Sequence, residues 1–235
     1  MSEINDILIK KYRNDKVLDK QFYQYKDKDG KFSTLDGIVN PLKIDNRQLM
    51  SPTDNQGDVP GCAGWSACTL LESEYWKETG RIVQLDSAHV YAKAKMMDGE
   101  PEQDGTYLEY SLSAALELCG GDFIGKRKVG LFYPYGKNDP KTIELTKFLI
   151  HKYDFLQVGF RIDDGWYRCS NENFVIEKGK YSLGGHAVNL AGYDQTGFYV
   201  LNQWGGEWGS LGYGIMPYDL FQEQFMYGAY LEYDN

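Results

Sequence analysis

Apolar and small residues recur at helical spacing through the first part of the chain. The run that begins at Cys62 reaches Thr79 without a proline, and its apolar positions fall on one helical face before Gly80 offers a stop. Further stretches repeat this spacing, and Asp86 or Ser87 can cap one of them. We predict helices over residues 62–78, 85–96, 107–118 and 140–153.

The hydrophobic pattern changes to that of strands after residue 155. Short apolar runs with a period near two predict strands over residues 155–162, 187–193, 197–202 and 213–216. Residues 163–166, with the sequence Asp-Asp-Gly-Trp, predict a surface loop whose two aspartates are solvated. The predicted strands therefore follow the predicted helices along the chain.

Composition excludes several classes of protein. Hydrophobic residues make up 42% of the sequence and charged residues 25%, which is typical of a globular domain. The formal net charge is −9 and no basic patch is visible, so we expect no nucleic-acid partner and no binding to anionic membranes. No signal peptide and no apolar run of membrane-spanning length is visible, so we expect a protein of the cytoplasm or another intracellular compartment. We also expect a monomer.

The four cysteines are Cys62, Cys68, Cys119 and Cys169, and no two of them form a CxxC motif. Without a signal sequence, reduced thiols are the default. The spacings between these cysteines and the three histidines do not fit a zinc site, so we expect neither a structural metal nor a cofactor. We interpret His89 and His151 as surface or packing residues within predicted helices.

One cysteine lies where a thiol becomes reactive. Cys62 follows a turn-rich stretch, residues 54–61, and begins the first predicted helix. The unsatisfied N–H groups and the dipole at a helix N-terminus favour negative charge, which lowers the pKa of a thiol and makes it a nucleophile. Gln56, six residues upstream, can supply one hydrogen-bond donor to an oxyanion, with the Cys62 backbone N–H as the other.

The second half of the chain adds a histidine and an asparagine in a recognisable order. His186 lies in a Gly-Gly-His-Ala-Val run, and Asn202 precedes Gln203 and Trp204 in an Asn-Gln-Trp-Gly-Gly-Glu-Trp-Gly run. The order Cys, His, Asn-x-Trp, with approximately this spacing, resembles the papain-like cysteine proteases. The resemblance covers roughly residues 44–233 and is closer to the bacterial and viral-type branch than to the plant or lysosomal enzymes.

The resemblance implies a role for each matching residue. Cys62 matches the nucleophile, His186 the general base, Asn202 the residue that orients the histidine, and Gln56 the oxyanion-hole donor. Three further residues are expected in the substrate-binding region. Trp204 matches the indole that shields the His–Asn hydrogen bond, and Gly105 matches the glycine whose backbone pairs with bound peptide. Gly185, directly before His186, suggests an open pocket on that side.

The resemblance also implies the fold and the domain boundaries. We expect an α+β, papain-like fold of two subdomains, one helical (about 44–130) and one antiparallel and barrel-like (about 131–235), with the active-site cleft between them. Residues 1–43 precede this peptidase domain. They are interpreted as a packed extension of the fold, a partner-binding arm or a minimal prosegment, with a short helix within residues 6–25 and a hairpin over 25–32.

Four positions depart from the family pattern. Val59 replaces the usual disulfide cysteine, Gly61 the serine before the nucleophile, Ala63 the bulky aromatic after it, and Gln203 the serine of Asn-Ser-Trp-Gly. None of these removes a catalytic group. They alter the shape of the cleft, and so the substrate preference.

The sequence therefore predicts a cysteine endopeptidase that hydrolyses protein or peptide substrates through a thioester acyl-enzyme, without a cofactor. Two alternatives stay open at this point. The same site could serve an acyl transferase, peptide ligase or isopeptidase, because water and an amine compete for one thioester. The chain could also be a peptide-binding module whose catalytic site has been retired.

Overall fold

The structure, a computed structural model, describes residues 40–120 and 125–234. The described part contains five α-helices: α1 (Cys62–Thr79), α2 (Ser87–Asp98), α3 (Leu108–Ala115), α4 (Pro140–Tyr153) and α5 (Tyr218–Gln224). It contains seven strands: β1 (Ile44–Asp45), β2 (Arg127–Phe132), β3 (Leu156–Asp163), β4 (Ser182–Tyr193), β5 (Gly197–Leu201), β6 (Tyr213–Pro217) and β7 (Phe225–Tyr233). Among these helices, none combines the length and apolar character that crossing a bilayer requires.

All seven strands form one antiparallel sheet in the order β2-β7-β3-β4-β5-β6, and β1 pairs separately with β4. The longest pairing joins β3 to β4 and places Phe160 opposite His186. The last strand in sequence, β7, lies inside the sheet between β2 and β3. The C-terminal segment is therefore a central part of the sheet that carries His186.

The helix α1 runs through the interior. Every residue from Ala63 to Glu74 is buried, so the helix is covered on all sides rather than on one face. It packs against α2, α3 and β4. A Cβ atom on Gly64 would lie 2.7 Å from Tyr91 Cβ, so only glycine lets α1 and α2 approach this closely. Gly80 ends the helix in the left-handed conformation, at a φ of +69°.

Two hydrophobic clusters form the core. One surrounds α1 and includes Cys68, Leu71 and Leu112. The other lies between the sheet and the helices α4 and α5, and it is rich in aromatic rings such as Phe160 and Phe221. Ala187 and Ala191, on β4, belong to the first cluster, while Val188 and Leu190 belong to the second, because successive side chains of a strand point to opposite faces. The strand β4 therefore separates the two clusters.

The predicted α+β fold with an antiparallel sheet is confirmed. The helix over 140–153 has the predicted bounds, and Asp86 is the N-cap of α2 because its side chain accepts a hydrogen bond from the His89 N–H at 3.0 Å. The third predicted helix ends earlier, at Ala115, and continues as a π-helical turn over Leu116–Gly120.

The interpretation of residues 163–166 as a solvated surface loop is wrong. Trp166 is fully buried and lies in a short 3-10 helix, Asp164–Arg168. Asp163 accepts hydrogen bonds from Gly165 N–H and Gln224 Nε2, so its carboxylate organises the turn. The sequence could not show this because the partner at residue 224 is supplied by α5.

The strands β2 and β7 and the helix α5 were not predicted, and β4 begins five residues earlier than predicted, so that His186 lies within it. In β7 nearly all side chains are buried on both faces, and such a strand lacks the alternation by which strands are recognised. The helix and hairpin predicted within residues 6–32 lie outside the described residues.

Candidate active site

Cys62 is the first residue of α1, directly after the N-cap Gly61. Its side chain is partly exposed, whereas the residues that follow it in the helix are buried. The backbone N–H of Ala187 contacts Cys62 Sγ at 3.4 Å, so the thiol lies against the strand residue that follows His186. The first turn of an α-helix has N–H groups without intrahelical acceptors, and these favour a thiolate.

His186 and Asn202 form a hydrogen-bonded pair. The distance from His186 Nε2 to Asn202 Oδ1 is 2.8 Å, and the two residues are 2% and 0% exposed. The backbone N–H of Gln203 donates to the same Oδ1 atom at 2.9 Å, which identifies this atom as the acceptor. His186 Nε2 must therefore carry a proton, and in the neutral imidazole Nδ1 is then the basic nitrogen.

Aromatic rings surround this pair. The indole of Trp204 stacks on the imidazole of His186, with ring centroids 4.9 Å apart, and Trp166 meets the same imidazole edge-on at 5.9 Å. Tyr167 stacks on the outer face of the indole at 5.3 Å. These rings hold the imidazole plane and keep water away from the bond to Asn202, which strengthens that bond.

Gln56 lies in the loop before α1 and is 2% exposed. Its backbone N–H donates to the carbonyl of Gln203 at 2.9 Å, and its side-chain Nε2 donates to the carbonyl of Val59 at 2.8 Å. A primary amide has two N–H bonds, so the contact with Val59 fixes the amide and leaves one N–H for a ligand. Gln56 is thereby tied to both the nucleophile loop and the Asn202–Gln203 segment.

The two loops that carry the site are joined directly. The N–H of Gly205 donates to the carbonyl of Asp54 at 3.1 Å, and Asn55 forms an isolated antiparallel bridge with Trp204. Residues about 150 positions apart in sequence therefore form a short two-stranded contact. This contact holds the helix start beside the segment after β5.

A buried polar network lies beneath the site, and sequence analysis missed it. Gln157 Nε2, on β3, lies 2.8 Å from the carbonyl of Ala63 and 2.7 Å from Ser66 Oγ. Asn189 Nδ2 donates to the carbonyl of Ser66 at 3.0 Å and its Oδ1 accepts from Gln203 Nε2 at 3.0 Å. A lone glutamine within the apolar run of β3 was the available signal, because a buried amide requires partners.

The two glycines predicted to bind substrate lie on different elements. Gly185 is a half-buried residue of β4, opposite Arg161 of β3. Gly105 lies in the loop before α3 with a φ of +76°, and its N–H donates to Tyr91 Oη at 3.1 Å. The carbonyl of Gly105 accepts from Lys95 Nζ at 2.8 Å. Both backbone polar groups of Gly105 are therefore hydrogen-bonded within the chain.

The remaining thiols and histidines lie apart from this arrangement. Burial raises the pKa of the Cys169 thiol to about 12 and also raises the pKa values of Cys68 and Cys119. All four cysteines lie in the described part of the chain, and none forms a disulfide. His89 and His151 are exposed on α2 and α4. Among the residues that the structure describes, no His, Cys, Asp and Glu side chains are grouped as a metal site requires.

The residues brought together are Cys62, His186, Asn202, Gln56 and Trp204. A thiol at a helix start, a histidine with a fixed tautomer and an amide donor are the groups that nucleophilic acyl transfer requires. Cys62 begins α1 and His186 lies on β4, whereas Gln56, Asn202 and Trp204 lie in loop segments that hydrogen bonds and ring contacts hold in place. The arrangement therefore brings a thiol at a helix start close to the strand that carries a histidine of fixed tautomer.

Solved structures with the same fold are cysteine proteases, although no protein-family profile matches the chain. Xylellain, a cysteine protease from Xylella fastidiosa, matches with a TM-score of 0.65 and 17% identity over 84% of this chain and 88% of that chain. The Amb a 11 cysteine protease, a major ragweed pollen allergen, in its proform, matches at 0.71 and 19% over 98% and 71%. Digestive procathepsin L 3 of Tenebrio molitor larval midgut matches at 0.66 and 13% over 98% and 78%. The chain therefore has the fold of the papain-like cysteine proteases.

Proposed function

We propose that the protein is a papain-like (C1) cysteine endopeptidase that hydrolyses peptide bonds through Cys62, His186 and Asn202. The observation that carries the proposal is the buried His186–Asn202 pair beside a partly exposed thiol at a helix start. The acceptor at Asn202 Oδ1 fixes the proton on Nε2, which leaves Nδ1 to exchange a proton with the thiol. The shared fold with cysteine proteases supports the same class of reaction.

The first half of the proposed reaction forms an acyl-enzyme. His186 takes the proton of the Cys62 thiol, and the thiolate attacks the carbonyl carbon of the substrate as the π electrons move to the oxygen. Gln56 Nε2–H and the Cys62 backbone N–H stabilise that oxyanion. His186 then protonates the leaving nitrogen as the C–N bond breaks, and a thioester and a free amine result.

The second half restores the enzyme. A water molecule loses a proton to His186 as its oxygen attacks the thioester carbonyl, and the oxyanion is held by the same two donors. The C–S bond then breaks and the thiolate leaves, which releases a carboxylic acid and regenerates the ion pair with His186. Asn202 keeps the imidazole in plane throughout, and no step requires a cofactor.

The proposed substrate is a protein or peptide that lies across the two halves of the site. Gly185 leaves room beside His186, and Trp204 forms an apolar wall next to it. Gly105 offers backbone contact on the helical side. We also propose that the chain is nearer the bacterial and viral-type members of the family than the plant or lysosomal ones, as the resemblance over residues 44–233 implies.

Digestion of a random peptide library, with and without an epoxide that alkylates papain-type thiolates, tests the proposal. We expect cleavage by the untreated protein, loss of cleavage after treatment, and the adduct on Cys62. Cys62→Ala should lower kcat/KM by roughly 10⁴-fold or more, because no other group can form the thioester, while its circular dichroism stays that of the parent. Cys169→Ala is the matched control, since burial raises the pKa of that thiol to about 12 and so suppresses its reactivity.

Three other outcomes would contradict the proposal in different ways. Unchanged hydrolysis by Cys62→Ala would exclude the mechanism. A dominant amide product in the presence of an added amine would indicate an acyl transferase, peptide ligase or isopeptidase. No epoxide adduct, together with iodoacetamide labelling typical of a thiol of pKa about 8.5, would indicate a peptide-binding module with a retired site.

A further inference from the structure

The backbone of Gly105 is held by two side chains of α2. Tyr91 Oη accepts the glycine N–H at 3.1 Å, and Lys95 Nζ donates to the glycine carbonyl at 2.8 Å. Tyr91 and Lys95 are four residues apart, so they lie on one face of the helix. The glycine is therefore fixed by a donor and an acceptor presented from a single rigid element.

The lysine is buried with its counter-ion. Its side chain is 7% exposed, and Nζ forms an ion pair at 2.8 Å with Asp98, whose side chain is 0% exposed. Asp98 Oδ1 also accepts from the N–H of Glu100 at 2.9 Å. A buried ammonium needs several hydrogen-bond partners, and here they are the Asp98 carboxylate and the Gly105 carbonyl. The carbonyl is thus one of two acceptors that the buried Nζ of Lys95 contacts.

The tyrosine connects the same loop to the nucleophile. A Cβ atom on Gly61 would lie 3.2 Å from Tyr91 Cδ1, and one on Gly64 would lie 2.7 Å from Tyr91 Cβ. Tyr91 therefore packs against the first turn of α1, at both Gly61 and Gly64. Burial raises the pKa of the Tyr91 hydroxyl to about 12, so the hydroxyl is neutral when it accepts from Gly105. The position of Gly105 is in this way set relative to the start of α1.

We propose that Tyr91 and Lys95 are positioning residues, which fix Gly105 so that it offers a bound peptide one hydrogen-bond acceptor rather than a donor and an acceptor. The inference rests on the proposed function, since it concerns how that site binds its substrate. A carbonyl oxygen has two lone pairs, so it can accept from Lys95 and from a peptide N–H at the same time. A backbone N–H has one proton, and in Gly105 that proton is committed to Tyr91.

Two alkylating reagents separate substrate binding from thiol reactivity. Iodoacetamide reaches Cys62 without contacting Gly105. Benzyloxycarbonyl-Phe-Ala chloromethyl ketone adds a peptide backbone. An analogue with phenyllactic acid in place of Phe replaces that residue's N–H by the oxygen of a carbonate ester. For the parent protein, we expect the ester to lower the second-order rate of inactivation about tenfold, because the hydrogen bond to the Gly105 carbonyl is lost.

The variants test each side of the clamp. Lys95→Met is combined with Asp98→Asn, because the second change avoids leaving a buried carboxylate unpaired. In this double variant the second-order rate of inactivation by the ketone should fall about tenfold, to the rate of the ester. The rate of alkylation by iodoacetamide should stay unchanged. Tyr91→Phe removes the hydroxyl that accepts from the Gly105 N–H, so this N–H can donate to a bound peptide. The second-order rate of inactivation by the ketone should therefore rise severalfold. Lys93→Met is the matched control on the same helix, since Lys93 pairs on the surface with Glu117, and it should behave as the parent.

Several results would overturn the inference. The first is equal inactivation rates for the ketone and the ester in the parent. The second is a ratio of ketone rate to ester rate that is unchanged in the folded Lys95→Met/Asp98→Asn variant. The third is a slower inactivation by the ketone in Tyr91→Phe. If the double variant fails to fold, the ester comparison in the parent and the direction of the Tyr91→Phe effect still decide. Failure of iodoacetamide to alkylate Cys62 in the parent would instead overturn the proposed function and the inference with it.

Discussion

The two sides of the candidate site are built in different ways. On the helical side, α1 buries polar side chains, such as Ser66, Thr69 and Glu72, along with its apolar ones. On the sheet side, the cluster behind His186 contains many aromatic rings, including Phe160 and Trp166, and Trp166 contacts His186 directly. The helical side is fixed by hydrogen bonds and small-residue contacts, and the sheet side by ring packing.

This difference suits the tasks proposed for the two sides. A nucleophile must meet substrate, so Cys62 is partly exposed while the helix behind it is anchored by buried hydrogen bonds. A histidine that must keep one tautomer is better enclosed, and His186 is 2% exposed between two indoles. Cys62 is therefore held through the buried helix behind it, whereas His186 is held by one stacked indole, one edge-on indole and a hydrogen bond at Nε2.

Among the substitutions that test this comparison, the largest effect is expected when His186 Nε2 loses its acceptor. Asn202→Ala removes Oδ1, so the proton of His186 is free to move between the two ring nitrogens and the ring can turn. We expect kcat/KM to fall about 10²-fold, with slower alkylation of Cys62 by iodoacetamide near neutral pH.

Asn173→Ala is the control for that experiment, because Asn173 is exposed and its amide Nδ2 donates to Glu177 Oε1. A variant with normal turnover and normal alkylation would show that aromatic packing alone holds His186. That result would sharpen the distinction between the two sides, since the sheet side would then hold His186 by ring packing without the hydrogen bond at the ring nitrogen.

A smaller effect, on stability, is expected where the two sides meet. Gln157→Leu removes the donor that β3 supplies to the Ala63 carbonyl and to Ser66 Oγ. We expect the free energy of unfolding in urea to fall by about 2 kcal/mol, because buried acceptors lose a partner. Gln195→Leu, at an exposed position, should change it little. Equal stability of Gln157→Leu and the parent would show that α1 does not depend on this link.

The smallest effect concerns a carboxyl group within α1. Burial raises the pKa of Glu72, with a further contribution from the charge of Asp54, although Leu85 N–H and Ser51 Oγ–H donate to the carboxylate. The folded state therefore binds the proton more tightly than the unfolded state does. This contribution to stability is complete below the ordinary glutamate pKa of about 4.3 and is lost as pH rises through the raised pKa.

Glu72→Gln should remove that pH dependence. We expect the free energy of unfolding of the variant, relative to that of the parent, to rise between pH 4 and pH 8, measured by urea denaturation at several pH values. Glu207→Gln, at an exposed position, should show no such trend. A relative stability of Glu72→Gln that falls with pH would contradict the direction assigned to the Glu72 pKa.

The elements that carry the site were largely predictable. The start of α1 at Cys62, the bounds of α4 and the cap at Asp86 follow from residues close in sequence, because helix signals are local. The strand β7 was not, since its burial on both faces erases the period-two pattern. Trp166 was assigned to the surface because its neighbours are turn-forming residues, yet ring packing and a hydrogen bond to Gln224 bury it.

The sequence by itself determined which groups could do chemistry: the order of Cys62, His186 and Asn202, the glutamine before the helix, and the tryptophan after the asparagine. Only the tertiary structure decided how they are held. The bond from Gln157 to Ala63 joins residues 94 positions apart, and Gly105 acquires its partners from α2. Local motifs specify residue types and helix ends, whereas a hydrogen bond across the fold exists only after packing has brought its two atoms within 3 Å.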